Sequence, residues 1–305
     1  MHRGRHVVVR AELDNGEAFA LKLASAAAAE RERRWYRALP ALNAGSAASR
    51  FVDDDLGEDV LLFAVHPAAL DARAYAVAQQ RLPAAFAANV ARQLAALHAM
   101  PLQDLNDMPL ARIAAIPAWN GGVAAASNVA TGAWDWDAAG PRGAELAAAC
   151  AEVREALLPS AFVHGDVRWE NVIVAGDDDA VLIDWEDAGR GAPAWDVGCL
   201  FASFASYAIR ARVLFASVLR AEALDAVVHE QVAAAWRAYR ADSENARDPS
   251  FLLAAIRCAG LRLAENALAP SATALSQPEI VALAGAADEM LHAPGAVVAR
   301  WHGIR

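Results

Sequence analysis

Lysine is all but missing from this sequence. Lys22 is the only one, and every other strong cation is arginine. Positive charge is also in deficit overall, with a formal net charge of −10. That argues against a nucleic-acid binder, which needs a basic surface to displace counterions; a cationic partner is compatible with it. Cysteine is scarce: Cys150, Cys199 and Cys258 lie far apart and are odd in number. They read as buried free thiols of a reducing compartment, against a disulfide framework or a zinc site. No uncharged apolar run approaches the roughly 18–20 residues that cross a bilayer. The start, MHRGRHVVVRAELDNGE, reaches acidic residues too early for a signal peptide. A cytoplasmic protein with no membrane partner is therefore expected. GxGxxG, the Walker A pattern, GxSxG and HExxH are all lacking, which removes the commonest dinucleotide-binding, P-loop, serine-hydrolase and zinc-protease readings.

What is present divides unevenly. A chain of 305 residues can bury a sizeable core as two domains or as one bilobal fold. The first 65 or so residues are strand-rich, and alanine-rich helical patterns fill the rest. A small lobe followed by a larger helical one is expected.

Polar chemistry gathers in FVHGDVRWENVIV, residues 162–174. The β-branched runs NVIV (171–174) and VLID (181–184) flank AGDDDA and predict a β-hairpin. Centring its turn on Asp177 and Asp178 sets Asn171 opposite Asp184, to within a residue of register. Cross-strand neighbours stand roughly 5 Å apart, and Asp166 lies close before Asn171. Two carboxylates and an amide oxygen thus converge at the mouth of the hairpin. Hard oxygen ligands of this kind suit Mg²⁺. Any one of these residues alone reads as a polar turn bonding its own backbone; the set at this spacing does not. Asp177, Asp178 and Asp179 read as a solvated hairpin tip.

Lys22 ends the second of two strand-like runs, HVVVRAEL (6–13) and AFALKLA (18–24), joined by the hairpin signal Asp14-Asn15-Gly16. A helix is predicted over 26–39. At helical spacing Glu32 shares a face with Ala28, Ala29, Trp35, Tyr36 and Leu39, whereas Glu30 lies among Arg33, Arg34 and Arg37. An acid on an apolar face is costly unless paired, and Lys22 is the available partner. In an arginine-biased chain the one surviving lysine points to a need for a compact ammonium.

Taken together, these residues resemble the aminoglycoside phosphotransferase and choline kinase superfamily, which has the protein-kinase-like fold. His164-Gly165-Asp166-VRWE-Asn171 matches its catalytic-loop pattern, VLIDWEDAG its metal-binding strand end, and PAWDVG its next structural acid at Asp196. FALKL matches the strand lysine, and ERERRWYRALPAL the helix carrying its glutamate, at Glu32. LLFAVHP (61–67) sits where the family has its hinge. The resemblance runs from about residue 4 to 205. It implies an α+β, bilobal fold with a small β-rich N-lobe over 1–67 and a helical C-lobe over 68–305. It also implies transfer of the γ-phosphoryl group of ATP to a hydroxyl. Asp166 would take or orient the hydroxyl proton. Asn171 and Asp184 would hold Mg²⁺, and Lys22, steadied by Glu32, would meet the α- and β-phosphates. Backbone groups at Ala64 and His66 would meet the adenine edge, while His164 and Asp196 would support the catalytic loop. The pattern departs at its start. The family has a first strand and a phosphate-covering loop before HVVVR, and here only Arg3-Gly4-Arg5 could be a remnant of them, which leaves two readings: a misassigned start, or a small lobe short by a strand.

Other polar and aromatic residues read more quietly. His98 ends a helix with an apolar face of Phe86, Val90 and Leu97, and reads as a satisfied packing or capping histidine. The aromatics of AWDWDAAG (133–140) are open between core and acceptor pocket, and Glu265 and Asn266 are weaker acceptor candidates. Besides a small-molecule kinase, two readings stand: a kinase for a peptide hydroxyl in a natural-product pathway, and a catalytically silent scaffold. A metal-dependent hydrolase would leave Lys22 and Glu32 without a role.

Overall fold

The computed structural model of the chain describes residues 7–38, 49–52, 56–79, 82–83, 85–101, 109–113, 135–175, 180–214, 221–269 and 275–301. Strands β1 (Val7–Glu12) and β2 (Ala18–Leu23) form the expected hairpin. Its turn closes with the Gly16 N–H donating to the Leu13 carbonyl at 2.9 Å. Helix α1 (Ala26–Ala38) follows, then β3 (Ser49–Val52) and β4 (Val60–Val65). The four strands make one antiparallel sheet in the order β1-β2-β4-β3. Leu61, Phe63, Phe51 and Tyr36 are buried between the sheet and α1, while Trp35 of α1 packs edge-on against Phe162 with ring centroids 4.9 Å apart. Tyr36 stacks on Phe51 with ring centroids 4.8 Å apart. The alternation of β2 sends Ala18 and Lys22 to a buried face.

After β4 the chain turns at 66–69, where the Ala69 N–H donates to the His66 carbonyl at 2.9 Å. The next strand, β5 (Leu70–Asp71), pairs outside the first sheet, with β7 (Val172–Val174), which in turn pairs with β8 (Ala180–Leu182). A third, two-stranded sheet joins β6 (Ala161–Val163) to β9 (Gly189–Gly191). Around these lie α2 (Ala72–Gln79), α3 (Phe86–His98), α4 (Gly143–Ala156), α5 (Pro193–Leu214), α6 (Ala221–Asp242), α7 (Pro249–Leu268), α8 (Gln277–His292) and α9 (Pro294–Arg300). A small antiparallel sheet with one helix, followed by a large helical body, is the bilobal α+β architecture implied by the motifs.

Two features of the helical body bear on the site. Helix α5 packs directly on α7 at Gly198, where an added methyl would lie 2.5 Å from the Cys258 Cβ and 2.6 Å from the Ala255 carbonyl. Cys150, Cys199 and Cys258 are buried and unpaired, as their spacing implied. Among the described residues no helix is long and apolar enough to cross a membrane.

Candidate active site

The helical phase of α1 places its acids as the apolar pattern requires. Glu32 is buried, and its Oε2 lies 2.6 Å from the Lys22 Nζ. Glu30 is largely exposed and pairs with Arg33 on its own helix. Lys22 also donates to the Asp184 Oδ1 at 2.5 Å, so a single ammonium bridges the sheet, α1 and the end of the β7–β8 hairpin. The Trp185 N–H adds a bond to the other Glu32 oxygen at 3.3 Å. Burial pushes the Glu32 carboxyl up to about 7; Lys22 opposes that shift and the Asp184 charge adds to it. Burial works against the Lys22 ammonium too, but Glu32 and then Asp184 outweigh it and raise the lysine above its ordinary value. The buried Tyr36 hydroxyl beside them is held well above the phenol range, by burial first and then by the Glu32 and Asp184 charges. Among the described residues Asp184 alone has a positive φ without being glycine, at 67°. Strain of this kind persists where surroundings over-determine it, and Lys22 supplies one such restraint.

The segment 164–171 follows β6 and is fixed from below. Asp196, fully buried near the start of α5, accepts the His164 N–H at 2.7 Å and the Gly165 N–H at 2.9 Å. His98 braces the same carboxylate, with Nε2 at 3.1 Å, and its Nδ1 stands 2.8 Å from the Tyr239 hydroxyl. His98 is thus a satisfied buried histidine. The Trp195 indole N–H donates to the Gly165 carbonyl at 2.7 Å. His164 accepts the Asp166 N–H at Nδ1 (3.3 Å), so its Nε2 carries the proton donated to the Ile183 carbonyl at 2.9 Å. Gly165 sits at φ 85°, and a Cβ there would lie 2.6 Å from the Asp187 carbonyl. The loop tolerates no side chain at this point.

The β7–β8 register pairs Val172 with Leu182, and the Ile183 N–H donates to the Asn171 carbonyl at 2.9 Å. Asn171 therefore stands opposite Ile183, one residue short of Asp184. The last pair before the connection is Val174 with Ala180. Asn171 donates from Nδ2 to both the carbonyl and the Oδ2 of Asp166, each at 2.9 Å. With its nitrogen spent there, its Oδ1 is the atom left for a cation. Asp166 is itself heavily paired. Its Oδ1 meets Arg262 of α7, and its Oδ2 lies 3.2 Å from the Arg168 Nε. Burial would raise this carboxyl, but Arg262, then Arg168 and His164, hold it well below the usual carboxylate range.

Ala64 lies in β4 between Phe19 of β2 and Arg50 of β3, and His66 follows the strand at the turn. Arg10, reaching across from β1, donates to the carbonyls of Pro67, Ala69 (2.9 Å) and His66 (3.4 Å) and ties the sheet edge to this connection. Trp136 is buried in the helical core, which assigns that half of the AWDWDAAG aromatics to packing. Trp134, Arg3-Gly4-Arg5 and Asp177 to Asp179 lie outside the described residues.

The motif reading passed over Arg262 and Arg168. Arg262 carried a signal of the kind that found Glu32. At helical spacing it shares a face with Ala255, Cys258 and Ala259, all buried, and a charge on such a face needs a partner. Its partners are Asp166 and, one turn on, Glu265 at 2.5 Å. Among the described residues no cluster of three or more His, Cys, Asp or Glu could hold a metal. The donor set that fits a cation is the pair Asn171 and Asp184, an amide oxygen and a carboxylate. That suits Mg²⁺, which keeps several waters and takes phosphate oxygens as further ligands.

Known proteins share this architecture. No curated protein sequence matches the chain. A crystal structure of glucosamine kinase superposes with a TM-score of 0.57 at 16% identity, covering 97% of this chain and 82% of that one. A choline/ethanolamine kinase family protein from Mesorhizobium loti gives 0.53 at 13% identity, over 96% and 90% of the two chains. A spectinomycin phosphotransferase in complex with ADP and spectinomycin gives 0.55 at 10%, over 95% and 90%. At such identities the likeness is one of fold. The sequence itself matches the model of the phosphotransferase enzyme family across residues 3–241, most of its length, and the chain belongs to that family.

Proposed function

We propose that the chain transfers the γ-phosphoryl group of ATP, bound with Mg²⁺, to a hydroxyl group of a small molecule. The observation that carries this reading is the bridge from Lys22 of the small lobe to Asp184 of the large one, beside the paired Asp166 and Asn171. The boundary falls at the 66–69 connection, giving a nucleotide lobe over 1–67 and a helical lobe over 68–305. Backbone groups at Ala64 and His66 line it for the adenine edge. Of the proteins sharing the fold, one was solved with ADP and spectinomycin and another is named a glucosamine kinase. Both support a nucleotide donor and a small hydroxylated acceptor. The three buried free thiols suit a reducing, cytoplasmic setting.

Each side chain then has a role. Lys22, kept charged between Glu32 and Asp184, meets the α- and β-phosphates of the donor. Asn171 Oδ1 and the Asp184 carboxylate hold Mg²⁺, which supplies neutralisation of the phosphate charge. Asp166 orients the acceptor hydroxyl and takes its proton. The hydroxyl oxygen bonds to the γ-phosphorus as the bond to the β,γ-bridging oxygen breaks, and ADP leaves with that electron pair. His164 and Asp196 fix the loop, so positioning and electrostatics account for most of the rate.

Thermal unfolding with ATP plus Mg²⁺, ATP alone and Mg²⁺ alone tests the reading. A ligand at about 100 times its Kd stabilises by roughly 2.7 kcal/mol, so the pair should raise the melting temperature by several degrees and either component alone by far less. A melting temperature unmoved by the pair contradicts the proposal.

A further inference from the structure

Asp166 is assigned to the acceptor hydroxyl, yet in the structure both of its oxygens are taken. Oδ2 receives Asn171 and Arg168, and Oδ1 receives Arg262. A hydroxyl brought to either oxygen therefore meets a donor already seated there, Arg262 on Oδ1 or Asn171 and Arg168 on Oδ2. Oδ1, with the single donor Arg262, is the oxygen a hydroxyl can take over, and Arg262 is the group that competes for it.

Arg262 is the partner built to move. Its guanidinium is anchored independently by Glu265, one turn along the same helix, at 2.5 Å. Releasing Asp166 therefore does not leave Arg262 unpaired, and Asp166 keeps Arg168 and Asn171 when Arg262 departs. Glu265 is partly exposed, which places solvent at this side of the pair. The local charge balance also bears on what the acceptor can be. The two carboxylates here, Asp166 and Glu265, are each already neutralised by arginine. A cationic acceptor would have to displace a guanidinium while sitting beside it. An anionic one needs only the guanidinium that Asp166 gives up, and a planar fork matches a carboxylate or phosphate.

We propose that Arg262 is the anion anchor of the acceptor site. It rests on Asp166 while the site is empty. It turns to a carboxylate or phosphate carried beside the acceptor's hydroxyl, which frees the Asp166 Oδ1 for that hydroxyl. The acceptor class is therefore a hydroxylated anion, a hydroxy acid or a phosphorylated alcohol. This rests on the kinase reading for the role of Asp166, while the anion site itself can be measured without nucleotide.

The test is calorimetric titration of glycerate, glycerol 3-phosphate, glycerol and ethanolamine into the nucleotide-free chain and into Arg262→Met and Arg262→Lys. ATP with Mg²⁺ is titrated separately. One of the two anions should bind wild type at least about 10-fold more tightly than glycerol or ethanolamine, and which one does so separates carboxylate from phosphate. Arg262→Met should weaken that anion roughly 10–100-fold, the range for losing a charge-assisted hydrogen bond, and leave ATP–Mg²⁺ binding unchanged. Arg262→Lys keeps the charge and should retain part of the preference; it serves as the probe if the methionine variant does not fold. Wild type that binds ethanolamine best, or binds neither anion, overturns the proposal. So does an Arg262→Met variant that weakens all four compounds equally. Loss of ATP–Mg²⁺ binding by wild type would instead sink the kinase reading and leave the anion result standing.

Discussion

In the cleft one ammonium stands between two carboxylates, since Lys22 touches both Glu32 and Asp184. Burial first, and then the Asp184 charge, favour a proton on Glu32, while Lys22 opposes it. Its carboxyl is raised to about 7 against an ordinary 4.5. Between those values the folded chain holds a proton that the unfolded chain has lost. Stability from this group is thus present at low pH and declines as pH rises through that window. Asp166 behaves in the opposite sense. Its lowered carboxyl contributes stability above the ordinary carboxylate range and loses it only in acid. Urea unfolding of wild type and Glu32→Gln in steps from pH 5 to 8 separates the two. The stability of wild type relative to the variant should fall across that range, and a flat or rising difference would show that Glu32 stays ionised. Glu32 was legible in the sequence because a charge on an apolar helix face demands a partner close by. Arg262 carried the same apolar-face signal, which marks a charge in need of a partner but does not name Asp166, 96 positions away.

At the scale of elements, helix α7 delivers Arg262 to the catalytic loop, and the α5–α7 contact sets how closely it does so. Gly198 allows that contact, with Ala255 and Ala259 backbone atoms at 2.6 and 2.8 Å from where a Cβ would stand. Backbone cannot rotate away as a side chain can. Gly198→Ala should therefore destabilise by about 1–3 kcal/mol through overpacking. Gly285, on the exposed face of α8, has nothing within 4 Å of such a Cβ. Gly285→Ala should stabilise by roughly 0.5–1 kcal/mol through chain entropy alone. Denaturant unfolding of the two variants checks the contrast, and equal effects would deny the close packing. The β7–β8 hairpin shows where element-level reading stops. Its strands and their partnership followed from two β-branched runs, and the observed pairing of Asn171 with Ile183 falls within the one residue of register that such runs leave open. The order in which α4 to α9 pack was not legible either. Their alanine-rich faces are too alike to specify a neighbour.

Across the whole molecule, the lobes are tied by contacts that converge on the cleft: Lys22 to Asp184, Arg31 to the Glu186 carbonyl at 3.3 Å, and Arg10 to the 66–69 connection. A bilobal fold was readable from a handful of polar residues because Lys22, Asn171 and Asp184 lie at or beside strand ends and Glu32 meets Lys22 from the middle of α1. The central claim is a division of labour there, with Asp184 serving the donor and Asp166 the acceptor. Calorimetric titration of ATP with Mg²⁺ into wild type, Asp184→Asn and Asp166→Asn tests it most directly. The account predicts tight Mg²⁺-dependent binding by wild type, near-normal binding by Asp166→Asn, and binding weakened about 10-fold or more by Asp184→Asn, which loses a charged ligand. Equal loss in the two variants, or no binding by wild type, would contradict it.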